Sequence, residues 1–295
     1  MRVDTAADAL AEQTALDKPA TAYANAVRKV LPPGAVRDAL HGVWLGHPLH
    51  PALVQLPIGA FASAVVLDWL PGERRDADAL LATGLLASVP AAMSGAADYS
   101  SGMPDQQRVG LVHAMANTVA TGLYLVSLRQ RRNGRRSAGK FTAALGFAIS
   151  GAAAGLGGHL SFRMAMGANH AQDVAHVAPA ESADLGALAD LVDREPVRKM
   201  VGTVPVLMVR DGAAVHVLAD ACAHADGPLH EGELSTGTDG RLCVQCPWHG
   251  SVFRLTDGAV QHGPATAAQP VFDTEVVDGR VIARARMIPG VPTSG

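Results

Sequence analysis

The sequence predicts a membrane protein of two parts, an N-terminal bundle of four transmembrane α-helices and a C-terminal all-β domain. The first observation is a set of four apolar stretches between residues 51 and 160, each close to the ~20 residues needed to cross a bilayer. The second is a change, from about residue 183, to short β segments separated by turn signals. The composition, 48% hydrophobic and 17% charged, suits a chain that lies partly in lipid.

The N-terminal part is predicted to begin with a polar helical tail, residues 1–44, that breaks at Pro32-Pro33-Gly34. The membrane domain follows at residues 45–163, with spans at about residues 51–70, 79–97, 109–128 and 141–160. The spans contain no Lys, Arg or Glu, and Asp68 is their only acid. A soluble amphipathic helix would show a polar stripe every 3.6 residues, so a buried soluble bundle is the disfavoured alternative. No internal repeat stands out in the sequence.

The C-terminal part is predicted to start with a polar linker at residues 164–182, followed by the β domain at residues 183–288. Segments such as Leu242–Gln245 and Val271–Val277 have strand-type sequences. The dipeptides Asp211-Gly212, Asp257-Gly258 and Asp278-Gly279 are typical of tight turns between antiparallel strands. The domain therefore consists of short strands joined by hairpins.

Two Cys-His pairs of unequal spacing dominate the chemistry of the β domain. They are Cys222-Ala-His224 and Cys246-Pro-Trp-His249. Thiolate sulfur favours iron–sulfur clusters, copper(I) or zinc, while imidazole is less selective. Zinc is the main alternative, but zinc fingers place their two histidines together on a helix and their two cysteines on a turn. Here each cysteine has its own histidine within β-type sequence, which favours a 2Fe–2S cluster over zinc.

The stretches CAHADGPLHEGEL, CPWHGSVFRLTDG and GPAT resemble the Rieske family over most of a domain. The resemblance implies that Cys222 and Cys246 bind the inner iron of a 2Fe–2S cluster and that His224 and His249 bind the outer iron. It also implies that three loops surround the cluster, through residues Ser251, Gly227, Pro228 and Pro264. The first and second pairs are further apart than is usual in the family, and residues 235–240, a tip rich in turn formers, accommodate the excess.

The same resemblance bears on the reduction potential. Ser251 matches a position at which high-potential members carry a hydroxyl that hydrogen-bonds a cluster sulfide, whereas Phe253 stands where those members have Tyr. Their loop disulfide would require cysteines at Gly227 and Trp248, so this chain has no such bridge. We therefore expect a potential between those of ferredoxin-type and bc-complex-type Rieske centres.

Histidines in or beside the spans form a second candidate site. They are His47, His50, His113 and His159, and tracing the spans places all four on one side of the membrane. Ionisable groups at membrane depth usually mark a functional site. Three interpretations stay open: axial ligation of haem b or another metal, hydrogen bonding to a quinone, and histidines that merely lie at the interface.

Residues 40–165 are also similar to a bacterial four-helix membrane domain of unknown function that is often joined to a Rieske domain. The resemblance rests on the stretches GHPLHPALVQLPIG, RVGLVHAMANTVATGLYLVSL and GGHL. It supports the architecture and includes the same histidines, but it implies no activity.

Charges in the loops predict the orientation of this multi-pass protein in the cell membrane. Basic residues are concentrated between the third and fourth spans and between the first and second spans: Arg129, Arg131, Arg132, Arg135, Arg136, Lys140, Arg74 and Arg75. The opposite side has only Arg37, Arg108 and Arg163 close to the membrane. Because positive residues stay cytoplasmic, the Rieske domain is predicted on the non-cytoplasmic side.

The leading functional hypothesis is a membrane-bound Rieske protein that carries single electrons and exchanges them with a quinone or haem in its transmembrane domain. One alternative is a ferredoxin-like donor to a separate oxygenase or reductase, with the spans as a passive anchor. A second alternative is a redox sensor. Only residues 250–295 follow the last motif, too few for an oxygenase catalytic domain. The net charge of −3 gives no sign of nucleic-acid binding, and the redox donor, the acceptor and assembly into a homo-oligomer stay open.

Overall fold

The computed structural model of the protein describes residues 3–71 and 76–286. The chain forms two compact units. The membrane unit consists of the residues up to Pro32 together with Pro48–Met166, and the C-terminal unit consists of Pro33–His47 together with the residues from Gly167 onward. In the described part of the chain the helices are α1 Val3–Ala11, α2 Asp17–Val30, α3 Ala35–His41, α4 His50–Leu53, α5 Gln55–Trp69, α6 Asp76–Ser100, α7 Pro104–Arg132, α8 Arg136–Gly158 and α9 Val174–Val177.

Four of the described helical segments are long and apolar enough to cross a membrane, as the sequence predicted. They are His50–Trp69, Asp76–Ser100, Pro104–Arg132 and Arg136–Arg163, the last including a π-helical turn at His159–Arg163. Most of their apolar surface faces away from the rest of the protein, since at most 28% of any such stretch is buried. Helices satisfy their backbone hydrogen bonds internally, which is why such segments can lie in lipid.

Within the membrane unit, the N-terminal helices α1 and α2 pack against the spanning helices α6 and α7. Arg108 of α7 donates hydrogen bonds to Asp17 and to the carbonyl of Ala11, both at 2.6 Å. The hydroxyl of Tyr99 donates to the carbonyl of Ala20 at 3.0 Å. Because Tyr99 and Arg108 lie where α6 ends and α7 begins, the two N-terminal helices cover that end of the bundle.

The opposite end of the bundle contains a buried ion pair. Arg131 of α7 forms a bidentate pair with Asp68 of α5, and both side chains are almost completely buried. Arg131 also lies 3.3 Å from Asp78, which pairs with Arg136 at 3.2 Å. Lys140 donates to the backbone carbonyl of Asp68 at 2.7 Å. These contacts join α5, α6, α7 and α8 through charges that a lipid environment would otherwise disfavour.

This ion pair removes one basic residue from the set that predicts the orientation of the protein in the membrane. Arg131, counted among the loop residues that predict orientation, is directed into the bundle rather than toward the membrane surface. Arg74 and Arg75, which the sequence predicts on the same side, lie outside the described residues. The orientation prediction therefore rests mainly on the remaining basic residues between the third and fourth spans.

The C-terminal unit is built from antiparallel strands. In the described residues these are β1 Ala183–Ala187, β2 Val197–Val201, β3 Val204–Asp211, β4 Ala214–Ala219, β5 Glu233–Thr236, β6 Leu242–Gln245, β7 Val252–Arg254, β8 Val260–His262, β9 Val271–Val277 and β10 Arg280–Ala285. They form a six-stranded sheet in the order β1-β10-β9-β4-β3-β2 and a four-stranded sheet in the order β5-β6-β7-β8. Val206, Leu207, Leu218 and Phe253, all fully buried, belong to the shared hydrophobic core.

The predicted turns join neighbouring strands. Asp278 and Gly279 connect β9 to β10 with positive φ angles of 49° and 74°, which is the pattern of a type I′ hairpin turn. Gly212 connects β3 to β4 with φ 64°. Arg254 donates at 2.8 Å to Asp257 within the β7–β8 connection. The turn signals therefore determine which strands pair.

Candidate metal centre

The two Cys-His pairs lie in neighbouring loops of the C-terminal unit. Cys222 and His224 are in the loop after β4, and Cys246 follows β6 directly. The backbone N–H of Cys222 donates to Gly227 at 3.0 Å, which closes the first loop. The N–H of Cys246 donates to the carbonyl of Ser251 at 2.8 Å, which closes the second. Each loop is short and is closed by one backbone hydrogen bond, which limits the directions in which its side chains can point.

The four side chains converge from these two loops. The imidazole rings of His224 and His249 are 4.9 Å apart between centroids, at an angle of 78°. Cys222 and Cys246 are both buried. The interaction of the two thiols raises the pKa of Cys222, as burial does, and lowers the pKa of Cys246. The cysteines thus form one pair and the histidines another.

Nδ1 of His224 provides the test of whether these residues suit a metal. This atom is buried and has no hydrogen-bond partner among the described residues. An unsatisfied buried polar atom costs about 1–3 kcal/mol, so it needs an explanation. Burial, with nearby histidines, lowers the pKa of His224 to about 3, which keeps the ring neutral. A neutral imidazole is the form that ligates metals.

The arrangement of the four side chains also helps to distinguish a 2Fe–2S cluster from a zinc ion, the main alternative. Within residues 3–71 and 76–286, no three His, Cys, Asp or Glu side chains are grouped as a single metal ion would need. One tetrahedral zinc ion would need four such ligands around one point. A cluster of two irons needs only two protein ligands on each, and the residues fit that division.

A third loop, after β8, closes over the other two. Ser251 is completely buried, and its hydroxyl accepts the backbone N–H of Ala265 at 2.9 Å. The proton of that hydroxyl has no acceptor among the described residues. Pro264, the predicted residue of this loop, is buried beside Ala265. The loop therefore fixes the orientation of Ser251.

Gln269 is a structural residue of the site that the sequence interpretation missed. Its side-chain oxygen accepts the N–H of Ala223 at 2.9 Å, and its nitrogen donates to the carbonyls of Ala219 and Ala221 at 2.7 and 2.6 Å. A single glutamine between Pro264 and β9 carries no local signal for this role. It ties the third loop to the backbone on either side of Cys222.

Gly227 and Trp248, the positions of the absent disulfide, lie against one another. A Cβ atom on Gly227 would be 2.7 Å from Cys246 Sγ and 3.1 Å from Cγ of Trp248. The indole therefore occupies the space beside Gly227, although half of the Trp248 side chain is exposed. Pro228, next to Gly227, forms an isolated bridge with Ala221 at the base of the first loop.

Segment 33–47 belongs to this site, which the sequence interpretation also missed. His41 of α3 is buried, and its ring lies against Gly263 of the third loop. Asp38, one turn earlier, binds the same loop through His262 and Gly263. Residues 33–47, the part of the tail just before the first span, therefore form part of the C-terminal unit.

The four histidines predicted near the membrane lie in different surroundings. In the membrane unit, the rings of His50 and His113 are 6.4 Å apart between centroids and nearly perpendicular, at 82°. His159 lies in a different surrounding, with Nε2 3.4 Å from a carboxylate oxygen of Asp8 in α1. His47 belongs to the C-terminal unit. The structure therefore brings two of the four histidines together, His50 and His113.

Comparison with known families matches both units. Residues 182–273 match the model of the Rieske 2Fe–2S domain. Residues 46–170 match a family described as predicted membrane protein (DUF2231). The fold and the cofactor predicted from the sequence are therefore confirmed for the C-terminal unit, and the domain family is confirmed for the membrane unit.

Individual relatives match the C-terminal unit. The anthranilate 1,2-dioxygenase ferredoxin subunit of Burkholderia cepacia is 31% identical over 102 residues, which is 35% of this chain and 90% of the relative. Ferredoxin CarAc of Metapseudomonas resinovorans is 35% identical over 81 residues, 28% of this chain and 71% of the relative. A solved structure, the ferredoxin of carbazole 1,9a-dioxygenase from Nocardioides aromaticivorans IC177, is 23% identical. It covers 36% of this chain and 98% of that chain, with a TM-score of 0.33.

Proposed function

This chain belongs to the Rieske 2Fe–2S family, and from that premise we propose that it is a membrane-bound carrier of single electrons. Cys222 and Cys246 would hold the cluster on one side, and His224 and His249 on the other. The observation that supports this most directly is the buried Nδ1 of His224, which has no hydrogen-bond partner among the described residues. The cluster, when bound, stores and releases one electron.

The surrounding residues hold and shield these ligands. Ser251 is oriented by the N–H of Ala265, which leaves its hydroxyl proton for an acceptor at the centre. Gln269 fixes the backbone around Cys222. Trp248 lies over Gly227, close to Sγ of Cys246. Preorganised loops of this kind keep the ligands in place when the charge of the site changes by one unit.

The ligand assignment is tested by replacing one imidazole at a time in the full chain. His224→Ala and His249→Ala should each abolish the Rieske EPR signal of the detergent-solubilised, dithionite-reduced protein. His216→Ala, on strand β4, is the control and should keep the signal. A Rieske signal that persists in His224→Ala, or a purified protein that contains zinc in place of iron, would overturn the assignment.

For the route of the electrons, the proposal is exchange between the cluster and a quinone or haem bound in the membrane unit. The observation in favour is the contact of His50 with His113 inside a domain that matches a membrane family. The test is reduction of the cluster by a soluble quinol. The full chain should be reduced, and His50→Gln with an intact EPR signal should be reduced far more slowly.

The competing function is a tethered ferredoxin that donates electrons to a separate oxygenase or reductase. It is favoured by two relatives whose names describe ferredoxins, one of them a subunit of a dioxygenase. In that case a soluble ferredoxin reductase should reduce the cluster, quinol should not, and His50→Gln should have no effect.

The proposed location of the C-terminal unit is the non-cytoplasmic side of the cell membrane. The support is the group of basic residues between the third and fourth spans that are not engaged with Asp68, such as Arg129 and Arg132. Protease treatment of intact spheroplasts tests it. Digestion of the C-terminal unit without lysis is the expected result, and protection until lysis would place this unit in the cytoplasm.

A further inference from the structure

The four spans of the membrane unit form two equivalent helical hairpins, although no repeat stands out in the sequence. Counting 63 residues on from each position in the first span gives its counterpart in the third: His50 and His113, Gly59 and Gly122, Phe61 and Tyr124, Asp68 and Arg131. Counting 62 residues on from the second span gives the fourth: Gly84 and Gly146, Ala91 and Ala153, Gly95 and Gly157. Most other positions differ, which hides the repeat.

Equivalent residues meet one another in the structure. The rings of Phe61 and Tyr124 are stacked, with centroids 3.7 Å apart and planes within 10°. Asp68 and Arg131 form the buried ion pair. Residues that contact their own counterparts lie on a two-fold axis, here an approximate one that passes through the bundle between α5 and α7. His50 and His113 are the third such pair.

Each of these histidines is held in the same kind of socket. Nδ1 of His50 donates to the carbonyl of Ala91 at 2.8 Å, and Nδ1 of His113 donates to the carbonyl of Ala153 at 2.8 Å. The two alanines are themselves counterparts in the repeat. A carbonyl can only accept, so Nδ1 carries the proton in both rings and Nε2 carries the lone pair.

A glycine one turn further along each partner helix makes room for the ring. A Cβ atom on Gly95 would be 2.8 Å from Cε1 of His50, and one on Gly157 would be 3.1 Å from Cε1 of His113. Real side chains essentially never come as close as the first of these distances. A side chain at Gly95 would therefore clash with the ring of His50, and one at Gly157 would press the ring of His113 out of its place by a few tenths of an ångström.

An Nε2 lone pair accepts a hydrogen bond or binds a metal, and the two rings bring two such lone pairs to the same part of the bundle. A histidine that ligates a metal almost always donates its other ring N–H to a carbonyl or carboxylate, as both of these do. The carbonyl oxygens of an oxidised quinone are acceptors like Nε2 and do not complement it, whereas the hydroxyls of a quinol are donors and would occupy Nε2 without a metal. Two imidazoles on opposite sides of one metal, with metal–nitrogen bonds of about 2.0–2.1 Å, have ring centres about 6 Å apart. The observed separation is 6.4 Å.

We propose that His50 and His113 are the two protein ligands of a transition-metal centre on this axis, either a haem iron or a bare metal ion. The proposal names the ligands of a centre in the membrane unit. It rests on the function proposed above only where it gives that centre a role in electron transfer. Asn117 breaks the repeat here, since Val54 is its counterpart. Its amide nitrogen lies 3.3 Å from Nε2 of His113 and 3.0 Å from the His113 carbonyl. The metal would replace the first contact, and the second would remain.

The test is metal and haem content of the full chain purified in detergent, as isolated and after incubation with haem b or with Cu²⁺. The proposal expects about one metal per chain beyond the two irons of the cluster. A haemochromogen spectrum would identify haem iron, and elemental analysis without haem would identify a bare ion. Neither haem nor additional metal, bound in either preparation, would overturn the proposal.

Variants locate the site. His50→Gln and His113→Gln should each remove the additional metal, while His159→Gln should keep it. Gly157→Ala leaves both histidines in the chain but should displace the ring of His113 from the carbonyl of Ala153, and so weaken metal binding by about tenfold. Gly155→Ala is its matched control, because a Cβ there would meet nothing within 4 Å. Metal that remains in His50→Gln and His113→Gln would refute the assignment.

The Rieske EPR signal of the same samples separates this proposal from the function proposed above. A protein with the Rieske signal and no additional metal contradicts only the membrane site. A protein with additional metal lost in His50→Gln, but with no Rieske signal, contradicts only the cluster assignment. Circular dichroism of each variant shows whether the helices have formed.

Discussion

Asp38 binds both His262 and Gly263, although 224 residues separate it from the histidine. His262 Nδ1 donates to one carboxylate oxygen at 2.8 Å, and the backbone N–H of Gly263 donates to the other at 2.9 Å. Gly263 begins the third loop of the metal centre, and the buried ring of His41 lies against it. A segment that precedes the membrane spans therefore completes the domain that follows them.

Removing the carboxylate of Asp38 should destabilise this loop. Asp38→Ala deletes two hydrogen bonds to a charged acceptor, each worth about 1.5–3 kcal/mol. The bond from His262 is the weaker of the two, because that side chain is exposed to solvent. We expect the visible absorbance of the cluster to be lost at a lower temperature than in the wild type. Asp38→Asn keeps an oxygen for the N–H of Gly263 and should show a smaller decrease. Equal melting of Asp38→Ala and wild type would contradict the role assigned to segment 33–47.

Ser251 should raise the reduction potential. Its hydroxyl is buried, is oriented by the N–H of Ala265, and retains its proton for an acceptor at the centre. A hydrogen bond worth about 1 kcal/mol corresponds to a shift on the order of 50 mV for one electron. Ser251→Ala should therefore lower the midpoint potential by about that amount, measured by EPR-monitored redox titration. Ser235→Ala, at an exposed strand position, is the control and should leave the potential unchanged.

The buried pair of Asp68 and Arg131 should stabilise the membrane unit only as a pair. Replacing one partner leaves an uncompensated buried charge, which costs about 3–5 kcal/mol. We expect Asp68→Leu and Arg131→Met each to lower the unfolding free energy in mixed detergent and SDS. The double variant should recover most of the loss. Arg132→Met, an exposed neighbour, should have little effect, and additive losses in the double variant would show that the two side chains act independently.

The acid stability of the C-terminal unit should depend on Arg254. The hydrogen bond from Arg254 holds the pKa of Asp257 below its usual value of 3.8. The pKa of Asp239 is lowered first by the backbone N–H of Arg241 and then by Arg254. A carboxyl whose pKa is lower in the folded state contributes stability above its unfolded pKa, and this contribution is lost as the pH falls through the folded value.

Arg254→Gln tests this dependence. The variant should melt at a lower temperature than the wild type above about pH 5, and the difference should shrink toward zero as both carboxyls become protonated. Measuring the difference between the two proteins at each pH cancels the effect of acid on the histidines of the metal centre. A difference that stays constant down to pH 3 would mean that Arg254 acts through packing alone.

Local features of the sequence were sufficient for the architecture. The lengths of the apolar stretches predicted the four spans, because crossing a bilayer requires a minimum length without charge. Asp278-Gly279 predicted a hairpin because few residues tolerate positive φ at both central positions. The two Cys-His pairs identified the Rieske family because the ligand types and their spacing lie within short loops.

Long-range features of the site did not follow from local patterns. Gln269 reads as an ordinary loop residue, yet it ties the third loop to the first. Asp38 and His41 read as part of a polar tail, yet they pack on the loop at Gly263. Such roles arise from contacts between segments far apart in the chain, and residue type alone does not encode them.

The membrane histidines show the same division most clearly. The sequence by itself determined that His47, His50, His113 and His159 lie near the ends of spans, since position along an apolar helix determines depth in the membrane. Only the tertiary structure decided that His50 meets His113 while His159 lies beside Asp8. The physical reason is packing: Gly95 and Gly157 let two rings approach their partner helices, and carbonyls of those helices fix each ring in place.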